Sequence, residues 1–146
     1  MTEPFFVDSN VLVYAFDEAA GDRHDAAAAL IEQAWETRLG VLSTQVLQEF
    51  YHVVTHRLKR RLEPQAARQA VEAFSLWHVE VVRVETILRA SAIAERYHLS
   101  FWDGLIVAAA AQAGAKTLVS EDFQDGARLA GVRVRNPFAK GRRLPH

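Results

Sequence analysis

The chain contains no cysteine. That absence excludes disulfides, thiolate zinc sites and a cysteine nucleophile together, and it fits a reducing compartment such as the cytosol. Long apolar runs are missing as well. The longest, Leu105 to Ala111, is short and alanine-rich; it falls well below what crosses a bilayer and reads as a buried helix. The N-terminus has none of the basic-then-apolar pattern of a leader, so a cytoplasmic protein without a membrane span is expected. No linker, internal repeat or low-complexity segment interrupts the sequence. A single domain over residues 1–146 is the expectation, long enough for a core without staples.

Nor does charge of one sign dominate. The formal net charge is −1, so the chain as a whole is not an electrostatic attractor for nucleic acid. The distribution is less even: Arg57, Lys59, Arg60 and Arg61 form one basic cluster, and Arg133, Arg135, Lys140, Arg142 and Arg143 enrich the C-terminus. Such local patches can track a phosphate backbone. The stretch from Lys140 to Arg143, with His146, is expected to be mobile, touching RNA or simply solvated.

What is present is a composition ordinary for a soluble globular protein, half hydrophobic and 24% charged. Residues 4–8 read as a buried strand ending in the polar turn Asp8-Ser9-Asn10. A helix is predicted over 22–38, with Asp22 and Asp25 favouring its N-terminus. Gly40 breaks it before a strand at Val41-Leu42-Ser43. Ser43 or Thr44 caps the next helix, whose stripe is Val46, Leu47, Phe50, Val53, Val54 and Leu58. Pro64 opens another helix, Val79 to Val84 is predicted as a strand, and residues 85–98 return to helical spacing. Ser100 caps an alanine-rich helix to about Ala113, followed by strands at Lys116–Val119 and Val132–Val134. Strands alternating with helices predict an α/β/α sandwich around a mostly parallel sheet. Ligands of such sheets bind beyond the carboxyl ends of the strands.

Four acids fall where that fold can gather them: Asp8, Glu49, Asp103 and Asp122. Asp8 follows an apolar strand; alone it reads as a helix cap, but Asn10 adds a second oxygen donor beside it. Glu49 lies at the edge of an apolar stripe, where a carboxylate costs desolvation unless paired or hydrogen-bonded. Asp103 stands three residues after Ser100, the capping-box spacing, at the start of a helix apolar almost all round. Asp122 lies in a cluster with Glu121 and Asp125 that reads equally as a solvated turn; spacing alone leaves open which of the three faces the crevice. Four like charges at one pocket require a cation, and hard oxygen donors without cysteine suit Mg²⁺ or Mn²⁺. Phosphodiester hydrolysis is the chemistry to which that arrangement points.

The chain resembles PIN-domain proteins, and is similar in particular to the VapC-type toxins of prokaryotic toxin–antitoxin pairs. The segments that carry the resemblance are Phe6 to Leu12, Ser43 to Phe50, Ser100 to Asp103 and Leu118 to Phe123, followed by Gly131-Val132 and Asn136-Pro137-Phe138. The resemblance implies a metal-dependent ribonuclease in an α/β/α sandwich, with Asp8, Glu49, Asp103 and Asp122 as its acidic residues. Asp8 and Asp103 would be the core metal ligands, Asn10 and Ser120 accessory polar groups, and Glu121 an equally close carboxylate at the fourth position. It also implies an RNA substrate, a homodimer and a cognate antitoxin that inserts near the acidic groove. Trp35, Tyr51, Phe74 and Trp77 are candidates for apolar contact surfaces or for the core.

A rival chemistry lies in His52 and His56, four apart on one helix with Glu49 three residues before. A zinc protease motif needs glutamate directly after the first histidine, and Val53 stands there. The spacing can still bind zinc, so the alternatives for the pair are zinc-dependent chemistry, the general acid and base of a metal-free ribonuclease, or two surface histidines beside the basic run. The other rival is a non-catalytic RNA-binding module of the same fold, whose mark would be the loss of an acid.

Overall fold

The computed structural model describes residues 1–139. The C-terminal stretch expected to be mobile, Lys140 to Arg143 with His146, lies outside the described residues. Six strands form one sheet: β1 (Phe5–Val7), β2 (Gly40–Ser43), β3 (His78–Glu80), β4 (Thr117–Val119), β5 (Arg128–Leu129) and β6 (Val132–Arg135). Between them run α1 (Ser9–Ala15), α2 (Asp22–Thr37), α3 (Thr44–His56), α4 (Pro64–Phe74), α5 (Val84–Tyr97) and α6 (Phe101–Gln112).

The spatial order is β3-β2-β1-β4-β6-β5. Every pairing is parallel except β5 with β6. The chain therefore steps outward from β1 to β2 to β3, then returns past β1 to β4. Crossovers between parallel strands are right-handed, so the two directions of travel place their helices on opposite faces. The result is a three-layer α/β/α sandwich. α6 lies against β2, β3, β4 and β6 with α5 packed on it, while α2 and α3 meet β2 and α1 packs on both.

Burial on both faces explains why β1 is apolar throughout. Phe5, Phe6 and Val7 are completely buried, and each such side chain contributes roughly 1.5–3 kcal/mol relative to exposure. The same logic applies to α6, where Gly104 to Ala110 are buried without a break. Gly104 has a steric reason. A Cβ there would stand 2.6 Å from the Ala90 carbonyl oxygen and 3.0 Å from Ala94 Cβ, so the absence of a side chain lets α5 and α6 approach. On the opposite side of the sheet, Phe16, Trp35, Phe50, Phe74 and Trp77 form a chain of edge-on and stacked ring contacts. Phe74 is buried there, while Trp35 is exposed.

One sequence expectation is corrected. The strand predicted over Val79–Val84 is only His78–Glu80. Its partner β2 ends at Ser43, which pairs with Glu80; beyond that point the Val82 N–H bonds to Thr44 Oγ1 instead, and Val84 already starts α5. The last strand expected at Val132–Val134 is present as β6 and continues to Arg135. β6 turns back from β5 through Ala130 and Gly131, both at positive φ (51° and 82°), a two-residue hairpin of the kind whose twist matches its strands.

Candidate active site

Strand connections leave β1 and β4 in opposite directions, so the crevice between their carboxyl ends is a switch point of the sheet. Val7 pairs with Val119 in register, which places the next residues, Asp8 and Ser120, side by side at that crevice. Both are buried. Ser120 Oγ donates to Asp8 Oδ2 at 2.7 Å, and the Ser9 N–H donates to Asp8 Oδ1 at 2.7 Å. Asp8 thus also serves as the N-cap of α1. Capping and site-building are one placement.

Asn10 spans the crevice. Its Nδ2 faces Asp122 Oδ2 at 3.0 Å, Ser120 Oγ at 3.3 Å and Asp8 Oδ2 at 3.4 Å. The Asp122 N–H donates to Ser120 Oγ, so residues 8, 10, 120 and 122 form one network although more than a hundred positions separate the two pairs. Glu49 approaches from α3, accepting a 3.2 Å hydrogen bond from Ser9 Oγ. Asp103 sits in the first turn of α6, its N–H held by Ser100 Oγ at 3.1 Å. Gln45 Nε2 donates to the Trp102 carbonyl and ties the start of α3 to the start of α6.

The electrostatics identify Asp122 as the common neighbour. Its charge raises the pKa of Asp8, Glu49 and Asp103 alike. Burial is the largest cause in each case. Asp8 is pushed up to about 7 by burial, against the lowering effect of its bonds to Ser120 and Ser9, with the Asp122 and Glu49 charges adding to the rise. Glu49 is raised by burial and by Asp122 and Asp103, and is pulled back by hydrogen bonds from Ser9 and Gln45. Asp103 is raised by burial and by Asp122, and is lowered by Ser100.

The ambiguity around the fourth acid has a geometric answer. Glu121 turns away: it accepts from Tyr14 Oη at 2.6 Å and pairs with Arg23 at 3.2 Å. Burial and that bond to Glu121 push the Tyr14 hydroxyl up to about 12. Asp125 accepts from the Asn136 N–H. Asp122 accepts from Asn10 Nδ2, and its charge reaches Asp8, Glu49 and Asp103. His52 and His56 are exposed on α3, their rings stacked at 4.5 Å between centroids, with His56 Nδ1 near Thr55 Oγ1 and the His52 carbonyl. Stacked rings do not converge their nitrogens on one ion.

The donor chemistry suits a hard divalent cation. Among the described residues no basic side chain pairs with Asp8, Glu49, Asp103 or Asp122, and Gln45 Oε1, buried near Glu49, meets no donor. Yet no three acids or histidines are already closed to metal-binding distance among the described residues. Like charges account for that: the carboxylates stand apart, with the Asn10 amide between two of them. Ser9 and Gln45 are the participants that sequence reasoning missed. Ser9 lies inside the Asp8-Ser9-Asn10 turn, which was a signal; Gln45 had none.

The PIN-domain family model matches residues 5–130. The chain belongs to the PIN-domain family. Solved structures agree on the fold. A toxin–antitoxin complex from Klebsiella pneumoniae is 23% identical at a TM-score of 0.67, covering 93% of this chain and 98% of that one. The sarcin-ricin loop cleaving toxin VapC20 of Mycobacterium tuberculosis is 23% identical at 0.63, covering 88% and 98%. VapBC2 of Rickettsia felis, bound to a fragment of its promoter DNA, is 19% identical at 0.62, covering 90% and 97%. No curated protein sequence matches the chain. In this PIN domain, no helix of the described residues is long and apolar enough to cross a membrane.

Proposed function

We propose that this PIN-domain protein is a metal-dependent endoribonuclease acting as the toxin of a toxin–antitoxin pair. One observation carries the reading. Four carboxylates with no basic partner among the described residues, Asp8, Glu49, Asp103 and Asp122, lie about the crevice at the switch point of the sheet. All four are tied to a hydroxyl: Asp8 by Ser120, Glu49 by Ser9, and Asp103 and Asp122 through their N–H groups by Ser100 and Ser120.

Asp8 and Asp103 would hold Mg²⁺ or Mn²⁺, with Asp122 joining through water and Glu49 binding directly or orienting the attacking water. A bound ion of this kind lowers the pKa of a water and neutralises charge on a leaving oxygen. Ser120 and Ser9 fix the two oxygens of Asp8, and Asn10 keeps Asp122 on the same side of the crevice. Glu49, raised by burial and by its acidic neighbours, would take a proton from water at the crevice. Because water rather than the RNA 2′-hydroxyl attacks, products carry 5′-phosphate and 3′-hydroxyl ends.

The likeness in fold to toxin–antitoxin complexes supports an antitoxin partner. An apolar cleft of about 520 Å³ between α2 and α4, bordered by Phe16, Ile31, Trp35 and Phe74, is a surface on which such a partner finds apolar contact. Val84, Ile87 and Leu88 are exposed along α5 and support a homodimer.

The test is cleavage of a mixed RNA pool by the purified protein and by its Asp8→Asn form, with and without excess EDTA, followed by mapping of the ends. Cleavage that needs the metal, disappears in Asp8→Asn and leaves 5′-phosphates is the expected result. Cleavage that survives both EDTA and the substitution, or that leaves 2′,3′-cyclic phosphates, would overturn it.

A further inference from the structure

The site leaves one feature of α3 unused. Glu49, His52 and His56 are spaced i, i+3 and i+7, so they share a face of the helix. The helix ends at Arg57, and the loop to α4 carries Lys59, Arg60 and Arg61. All four cations are exposed, and among the described residues none forms an ion pair. Lys59, Arg60 and Arg61 border a cavity of about 810 Å³ that Asp17, Glu18 and Glu63 also line. Among the described residues no ion pair joins those acids to the cations.

α1 and α3 both start at the carboxylate crevice and pack along each other. Seven residues of helix separate Glu49 from His56, about 10 Å. A line therefore runs from the carboxylates across two exposed aromatic rings to four cations without an ion-pair partner. Bases stack on aromatic faces, histidine included, and cationic side chains track phosphates. The imidazoles are already stacked on each other, so the platform needs no rearrangement to form.

We propose that this face of α3, from Glu49 through His52 and His56 to Arg57 and the Lys59–Arg61 loop, is a track for single-stranded RNA. The ring pair takes an unstacked base and the cations hold the phosphates beyond it. His52 and His56 are then positioning residues. The proposal rests on the ribonuclease reading and adds the direction in which the substrate leaves the carboxylates.

The experiment separates the two. In the Asp8→Asn background, with Mg²⁺ present, fluorescence anisotropy measures binding of a labelled single-stranded RNA oligonucleotide of mixed sequence and of the same sequence as a duplex. Replacing both histidines by alanine is expected to weaken single-strand binding about tenfold, and replacing both by phenylalanine to restore it. The quadruple change of Arg57, Lys59, Arg60 and Arg61 to glutamine is expected to flatten the salt dependence, by about 0.7 in log–log slope for each phosphate that is no longer neutralised. In an otherwise wild-type chain, both changes should raise KM with little effect on kcat.

Histidine variants that bind as the parent does would overturn the track, whether or not the cations matter, because a general attraction for anions needs no ring platform. Equal binding of the duplex would overturn it too. In either case cleavage by the wild-type chain would leave the ribonuclease reading standing. Conversely, absence of cleavage by the wild type with ring-dependent binding intact would sink the nuclease and keep the track.

Discussion

Ser120 Oγ donates to Asp8 Oδ2 at 2.7 Å and in turn accepts from the Asp122 N–H at 3.1 Å. One buried hydroxyl thereby fixes two carboxylate residues that leave neighbouring strands. Ser120→Ala removes the donor and leaves Asp8 buried with less support. A cost of about 1–3 kcal/mol in unfolding free energy is expected, read from urea denaturation with an unchanged slope. The same bond lowers the Asp8 pKa, so its loss raises that pKa further. The acid limb of the activity profile should move to higher pH.

Asp8 also makes stability depend on pH in a defined direction. Its folded pKa of about 7 exceeds the ordinary value of 3.8. The unfolded chain therefore gives up this proton first as pH rises, and the folded state is penalised. The penalty is absent below about pH 4, builds between pH 4 and 7, and is complete above that, on the order of 4 kcal/mol. Thermal unfolding of the metal-free protein at pH 5 and pH 8 should show this loss, and Asp8→Asn should reduce it. Mn²⁺ or Mg²⁺ at pH 8 should raise Tm in the parent and have little effect in the variant.

Asn10 touches no substrate in the proposed mechanism, yet its amide lies within hydrogen-bond reach of Asp8, Ser120 and Asp122. Groups that orient ligating carboxylates carry about 10–100-fold in metal affinity or activity. Asn10→Ala should lower RNA cleavage by that amount, with an increased Mn²⁺ requirement. Full activity at the parent's Mn²⁺ concentration would show that Asp122 needs no such restraint.

Gly104→Ala provides a test of packing independent of function. Helix propensity favours alanine by about 1 kcal/mol, but its Cβ would meet a backbone oxygen of α5 at 2.6 Å. Since α5 must shift, a net destabilisation of about 1–3 kcal/mol is expected. A gain in stability would mean that the two helices are loosely packed there.

Much of this was legible in the chain, for local reasons. β1 and the run Leu105 to Ala111 of α6 declare themselves through uninterrupted apolar residues, and Ser43 and Ser100 cap the helices they precede. Asp8 was readable as a cap, and it caps α1 while its other oxygen accepts from Ser120 at the end of β4. What could not be read depends on partners far along the chain. Glu121 and Asp122 are adjacent and chemically alike; Tyr14, Arg23 and Asn10 sort them. The true end of β3 follows from where β2 stops, and β5, two residues long, is too short to show any period.

The sheet order also sets a timetable. Asp8, Glu49 and Asp103 all precede β4 in the chain, whereas Ser120 and Asp122 come directly after it. Chains fold as they emerge, N-terminal parts first, so β4, the strand that seats beside β1 to close the crevice, arrives only after Asp8, Glu49 and Asp103 have been made. Until then Asp8 has neither its serine nor its acidic neighbour. The nascent chain therefore carries an unassembled carboxylate centre until β4 and the residues directly after it have emerged.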